Sequence, residues 1–256
     1  MSLIKSSSSK QLMLLLNMLV TLYELTQRWN VSPNGVVHVG AHLGEEATEY
    51  EKYQWLPVIW VEAQPSLAAK LRTSLNSANH SVIEAAIWEE DGVKLNLNIA
   101  SNSQSSSLLN FGTHSESYPN IRFESQIEVV TKRLDALIDF EKMPNFINLD
   151  IQGVELPAIK SLGNLIQKLD YIYTEVNRKE VYLDCTLVKN LDLYLQNFGF
   201  SRRLTRWYIA QGWGDALYVR NNVYIRRNLV QFVGTYLSQI QFYCSQVPIL
   251  NRWKKS

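Results

Sequence analysis

Short apolar runs set the rhythm of this chain. Residues 36–39 read Val-Val-His-Val, 58–62 read Val-Ile-Trp-Val-Glu, and 82–87 read Val-Ile-Glu-Ala-Ala-Ile. Two more follow at 146–150, Phe-Ile-Asn-Leu-Asp, and 171–176, Tyr-Ile-Tyr-Thr-Glu-Val. Each has the length and composition of a strand. Helical patterns separate them. Residues 45–54 form one, stopped by Pro57, and 66–76 form another with Leu67, Leu71 and Leu75 on one face. Others are expected at 133–140, at 155–161 with Gly163 near its end, and at 186–197, closed by Gly199. A β-α-β-α-β opening of this kind calls for a parallel sheet with helices on its faces.

The rhythm breaks in four places. Residues 93–99 and 126–130 alternate apolar and polar, as half-solvated strands do. Between them runs a polar segment with Ser101, Ser103, Ser105, Ser106 and Ser107, then Phe111, His114 and Tyr118. It is too long for a plain connector, so a lid or a disordered loop is expected. Residues 207–211 and 216–220 suggest a terminal strand pair around Gly212-Trp213-Gly214-Asp215. Near the start, residues 11–25 place Leu12, Leu15, Leu16, Leu19, Leu22 and Tyr23 at helical spacing. Lys5 and Lys10 precede that run as in a signal peptide, but no small-residue cleavage site follows. The run is too short for a standard membrane span, so no transmembrane span is expected. It reads as a helix docked on the domain, with a membrane-surface or partner-binding helix as the alternative. From Asn221 onward Arg226, Arg227, Arg252, Lys254 and Lys255 with interspersed aromatics describe a basic amphipathic appendage. The organisation is therefore a helical extension at 1–30, one domain at 31–220 and a basic extension at 221–256. The terminal helices offer a dimer contact, with the oligomeric state open.

Composition changes this picture little. The chain has 256 residues, 46% of them apolar and 19% charged, as in a soluble globular protein. A net charge of +1 gives no overall reason to expect nucleic acid. Cys185 and Cys244 lie far apart and form neither a metal spacing nor a disulfide framework, which points to the reducing cytoplasm.

The candidate chemistry collects at strand ends, where open parallel sheets bind ligands. Gly40, Ala41 and Gly44 follow the first strand at once and can form a tight turn whose amides face a ligand. Glu62 ends the second strand, 22 residues after Gly40. An acid about 20 residues past such a turn commonly takes the two hydroxyls of a ribose. A tight turn without a ligand and a solvated strand end are the plain alternatives. Gly-Ala-His-Leu-Gly is not the dinucleotide fingerprint, because His42 stands where its second glycine makes room for pyrophosphate. That counts against a dehydrogenase. It suits a nucleoside with an amino-acid tail, S-adenosylmethionine.

Residues 37–44, Val-His-Val-Gly-Ala-His-Leu-Gly, then Val61-Glu62-Ala63-Gln64-Pro65 and Ala85-Ala86-Ile87, resemble the first motifs of S-adenosylmethionine-dependent methyltransferases. Asn148-Leu149-Asp150-Ile151-Gln152-Gly153-Val154-Glu155, preceded by Leu134-Asp135-Ala136-Leu137, resembles the FkbM-type methyltransferase family. Thr174-Glu175-Val176-Asn177 and the stretch from Gly212 to Tyr218 are similar to its later segments. The resemblance runs over 36–220. It implies a class I, Rossmann-like α/β fold: a mostly parallel seven-stranded sheet with helices on both faces and a final antiparallel strand. It also implies O-methylation, mostly of small molecules or sugars. One departure is Ile151-Gln152-Gly153, where the common form has Val-Glu-Gly, and Gln152 cannot act as a base.

On this reading the cofactor residues are His38, Gly40, Ala41, His42, Gly44, Glu62, Ala63, Ala85, Ala86, Asp150 and Gln152. Asp150 is the first choice for orienting or deprotonating the acceptor and Glu175 the second. Capping a loop, or holding the methionyl ammonium, is the alternative for Asp150. Ser106, Ser107, Trp213 and Asp215 are candidates for the acceptor pocket, with a flexible loop and a buried hairpin anchor as the plain readings. His114 is either a base or a solvated loop residue. No metal is expected, for want of a convincing second ligand beside Asp150. Two further readings stand: RNA ribose methylation, suggested by the basic tail, and a non-catalytic methyltransferase-like binding module. Nucleic acid is thus a secondary expectation beside a small-molecule or sugar acceptor.

Overall fold

The structure is a computed structural model, and it describes residues 20–208 and 211–224. Most of the amphipathic run at 11–25 and nearly all of the basic extension lie outside the described residues. What is described of the first run is its end. Leu22–Trp29 forms helix α1, capped by Thr21, whose hydroxyl accepts the N–H of Glu24.

Seven strands make the main sheet, in the order β3-β2-β1-β7-β8-β10-β9. They are β1 (Val36–Val39), β2 (Val58–Glu62), β3 (His80–Glu84), β7 (Phe146–Leu149), β8 (Tyr171–Asn177), β9 (Phe200–Trp207) and β10 (Trp213–Arg220). The first five are parallel, while β10 runs antiparallel to β8 and β9. This is the class I sheet with its final antiparallel strand. Alternation along the strands sends side chains to two cores. On one face Val36, Trp60, Phe146, Tyr171 and Leu217 pack with Leu25 of α1, Tyr50 of α2 (Ala47–Lys52) and Leu71 of α3 (Pro65–Ser74). On the other, Val37, Val61, Ile147, Ile172 and Tyr218 pack with α6 (Glu155–Lys160) and α7 (Val188–Gln196).

Several expected elements are redrawn. The run at 82–87 is two strands. β3 ends at Glu84, and the Ala85 N–H donates to the Glu62 carbonyl at 3.0 Å as the last bond of the β2–β3 ladder. Strand β4 (Ala86–Ile87) then joins a separate sheet, β4-β6-β5, with β5 (Lys94–Ala100) and β6 (Phe123–Lys132). The expected helix at 133–140 is a single turn, α5 (Leu134–Leu137). Ile138 is extended and buried, and Asp139 accepts the N–H of Glu141 to begin a new short turn. The first strand of the terminal pair lies earlier than expected. Gly214 faces Trp207 across the ladder, so the strand precedes that residue rather than following it.

The long polar segment is not a free lid. Ser107 exchanges both backbone hydrogen bonds with Asn98, and Ala100 N–H donates to the Ser106 hydroxyl. Within the segment, α4 (His114–Ser117) packs His114 between Phe111, Tyr118 and Tyr182. Its hydroxyls thus replace the ladder partners a plain loop lacks.

Candidate functional site

The chain leaves β1 for β2 on one side and returns to β7 on the other, so the strand order reverses between β1 and β7. At that point the Asp150 N–H donates to the Val39 carbonyl, and the Gly40 N–H to the Val61 carbonyl. Gly40, at φ 84°, is pressed onto the Asp150 carbonyl, where a Cβ has no room. Gly44 faces Leu71 Cδ2, with 3.0 Å left for a Cβ. The glycines therefore fit the turn against the protein itself.

A cleft opens at this switch point. Its walls include Gly40, His42, Glu62, Ala63, Ala85, Ala86, Asp150 and Gln152. Ser106 and Ser107, read from sequence as acceptor residues, line the same cleft, along with Ser103 and Gln104. Three expected cofactor residues stand outside it. Ala41 and Gly44 are buried in the turn. His38 points into the core, 3% exposed and stacked on Trp60 at 5.0 Å. Burial lowers its pKa to about 4, against the opposing pull of Asp150 and Glu45, so the ring is neutral.

Glu62 anchors one end of the cleft. Its two oxygens accept the N–H groups of His42 and Gln64, each at 2.8 Å. Each oxygen keeps a further lone pair for a ligand donor. Burial raises its carboxyl, and those two amide bonds oppose the rise. The His42 ring ties Glu45, at 2.6 Å, to the Ser103 hydroxyl, at 2.8 Å. The serine-rich segment is thereby latched over the cleft. At its far end the Ser107 hydroxyl donates to the Gln152 carbonyl at 2.7 Å.

Asp150 and Glu175 meet through Gln152. The Gln152 amide donates to Asp150 Oδ1 at 2.7 Å and to Glu175 Oε2 at 3.2 Å. Its own oxygen accepts the Tyr182 hydroxyl at 2.6 Å. Asp150 is reached by solvent, while Glu175 and Asp215 are buried behind it. Desolvation raises the carboxyls of Asp150 and Glu175. For Asp150 it is the desolvation of a cleft floor rather than of a sealed core. Neighbouring acids push Glu175 further up. Asp215 is raised to about 7 by burial and then by Asp150, and Glu155 to about 7 by burial. The hydroxyls of Tyr173 and Tyr208 temper the rise at Asp215, yet neither closes a hydrogen bond on Oδ2. Trp213 stacks on Tyr208 at 3.7 Å beside these acids. His114 is buried among rings, not solvated, and desolvation lowers its pKa.

The methyltransferase FkbM domain model matches residues 38–202. The chain belongs to the FkbM methyltransferase family. Membership carries with it S-adenosylmethionine as methyl donor. No curated protein matches this FkbM-family chain. Among solved structures it is similar to Sp1610 of Streptococcus pneumoniae, a putative tRNA (m1A22) methyltransferase. That match has 11% identity and a TM-score of 0.47, and covers 92% of each chain. It is also similar to magnesium protoporphyrin IX methyltransferase from Synechocystis PCC 6803 with bound SAM. There the identity is 10% and the TM-score 0.42, over 73% of this chain and 69% of that one. The ribosomal protein L11 methylase of Lactobacillus delbrueckii subsp. bulgaricus matches at 13% identity and a TM-score of 0.43. It covers 76% of this chain and 73% of its own. No helix among the described residues is long and apolar enough to cross a membrane.

Tyr182, Asn177, Tyr208 and Ser103 were not singled out as site residues from the sequence. Asn177 closes a quoted motif, but Tyr182 sits in an irregular stretch with no periodicity to mark it. Only the fold brings its hydroxyl to Gln152.

Proposed function

We propose that this methyltransferase transfers the methyl group to a hydroxyl of a small molecule or sugar, with Asp150 orienting that hydroxyl and taking its proton. The observation that carries the reading is the position of Asp150, open on the cleft at the β1–β7 switch point. S-adenosylmethionine, when bound, supplies an electrophilic methyl on a sulfonium, and the C–S bond breaks as the C–O bond forms. Glu62, held by two backbone amides, suits two adjacent ribose hydroxyls. Ala63, Ala85, Ala86 and Ile87 give the small, apolar walls that suit a base. The Gly40 backbone stands at the amino-acid end, which leaves the Asp150 carboxylate to the acceptor.

The chain's own contribution is positioning and proton acceptance. Desolvation at the cleft floor raises the Asp150 carboxyl above its ordinary value, which makes it a better base than a solvated aspartate. Gln152 fixes its rotamer and ties it to Glu175, the second candidate for the proton. Among the described residues that line the cleft there is no lysine, the residue type that ribose methylation through a Lys-Asp-Lys-Glu tetrad calls for.

Calorimetry with S-adenosylhomocysteine and methyl transfer from labelled S-adenosylmethionine to a hydroxyl panel test this reading. Asp150→Asn is expected to bind S-adenosylhomocysteine within about threefold of wild type while transfer falls at least about a hundredfold. A folded wild-type chain that binds no S-adenosylhomocysteine refutes the cofactor assignment. Undiminished transfer by Asp150→Asn refutes its role as base.

A further inference from the structure

Behind Asp150 lies a row of buried polar groups, two acceptors and a hydroxyl, that the described residues do not satisfy. Asp215 Oδ2, Asn177 Oδ1 and the Tyr208 hydroxyl all lack a partner, and their residues are 8%, 0% and 5% exposed. The row is continuous. Gln152 links Asp150 to Glu175, Asn177 Nδ2 donates to Glu175 Oε1 at 3.4 Å, and Asp215 stands opposite Glu175 in the β8–β10 register. Among the described residues no lysine or arginine is ion-paired with Asp150, Glu155, Glu175 or Asp215. Buried acceptors without donors are unfavourable, and so are like charges gathered without a counter-charge. Donors on a bound molecule relieve the first, and a positive charge relieves the second.

We propose that this row receives a protonated amine of the methyl acceptor, so that the acceptor class is an amino alcohol or aminosugar. A neutral polyol brings donors but no charge to meet the carboxylates. A metal ion brings charge, but among the described residues no three His, Cys, Asp or Glu side chains are arranged to hold one. An ammonium brings three donors and one positive charge. The stacked Tyr208 and Trp213 rings add faces that attract a cation. The inference rests on the methyltransferase reading of the cleft.

The test uses the full chain saturated with S-adenosylhomocysteine, at pH 7.5, where Asp215 is mostly ionised. Ethanolamine and glucosamine are titrated calorimetrically against N-acetylethanolamine and N-acetylglucosamine, which keep the hydroxyls and lose the charge. The amines are expected to bind at least about tenfold tighter. Asp215→Asn is expected to erase that preference while S-adenosylhomocysteine affinity holds. The wild-type comparison needs no variant to fold. Equal or tighter binding of the acetylated forms, or no binding of either class beside normal S-adenosylhomocysteine binding, overturns the amine inference alone. So does an unchanged preference in folded Asp215→Asn. Failure of the wild type to bind S-adenosylhomocysteine overturns the cleft reading and this inference with it.

Discussion

Asp215 on β10 is the direct register partner of Glu175 on β8, so two carboxylates share one rung of an antiparallel pair. Like charges placed directly opposite are destabilising when both ionise. The buried setting makes this worse, and it is why neither carboxyl titrates as a solvated one does.

Stability should therefore depend on pH through Asp215. Its pKa is raised from 3.8 to about 7 on folding. Between those values the folded chain holds a proton the unfolded chain has lost. The stabilisation is thus complete below the unfolded pKa and is lost as pH rises through the folded one. Asn at this position does not titrate. The stability of Asp215→Asn relative to wild type should rise by about 2–3 kcal/mol between pH 5 and pH 8. His38 is depressed to about 4 and acts in the opposite sense below 6.5, but both proteins carry it and it cancels. Urea unfolding at the two pH values measures the difference. A flat difference means that Asp215 ionises normally in the fold.

Glu62 should matter through acceptor geometry as well as charge. Glu62→Gln keeps the shape but turns one oxygen into an amide donor. That donor must face the N–H of either His42 or Gln64, where donor meets donor. Hydrogen bonds to charged groups contribute about 1.5–3 kcal/mol. The variant should bind S-adenosylhomocysteine roughly ten- to a hundredfold more weakly, with its far-UV circular dichroism unchanged. Affinity within twofold of wild type refutes the assignment.

The main sheet was legible because its strands are short apolar runs ended by glycine or acid, and β1, β2, β7 and β8 fall where those runs fall. The break at Ala85 was not legible. Residues 82–87 read as one run, and only their partners divide them between two sheets, Glu84 pairing with Glu62 and Ala86 with Thr131. His38 was misleading for a physical reason. Its neighbours in sequence line the cleft, but a strand sends alternate side chains to opposite faces, and His38 falls on the face with Tyr50 and Trp60. Asp150 and Gln152 are neighbours in sequence. Their meeting with Glu175 and Tyr182 depends on strand order, which no local pattern carries.

The two glycines of the opening turn should differ in their tolerance. Gly40→Ala sets a Cβ against the Asp150 backbone carbonyl at a positive φ, and neither part can yield cheaply. It should lose about 2 kcal/mol or more of stability. Gly44→Ala also has a positive φ, but its Cβ meets the ends of Leu71 and Leu75, which can shift. Its loss should be about 1 kcal/mol. Chemical denaturation of both variants checks the order. Equal losses mean that the Asp150 carbonyl does not define the turn.

Gln152→Glu replaces the bridge between Asp150 and Glu175 with a third carboxyl. When ionised, it removes both donor bonds and adds a negative charge between two acids. The Tyr182 hydroxyl can still donate to it, which fixes the new group in place rather than letting it swing out. At pH 8 the variant should be about 2–4 kcal/mol less stable than wild type. At pH 5 the loss should shrink, because a protonated glutamic acid can still donate one bond. Gln152→Ala serves as the control, since it removes the donors without adding charge and should lose less at pH 8 than Gln152→Glu does. If the two variants lose stability equally at both pH values, charge at this position is irrelevant and the bridge acts by packing alone.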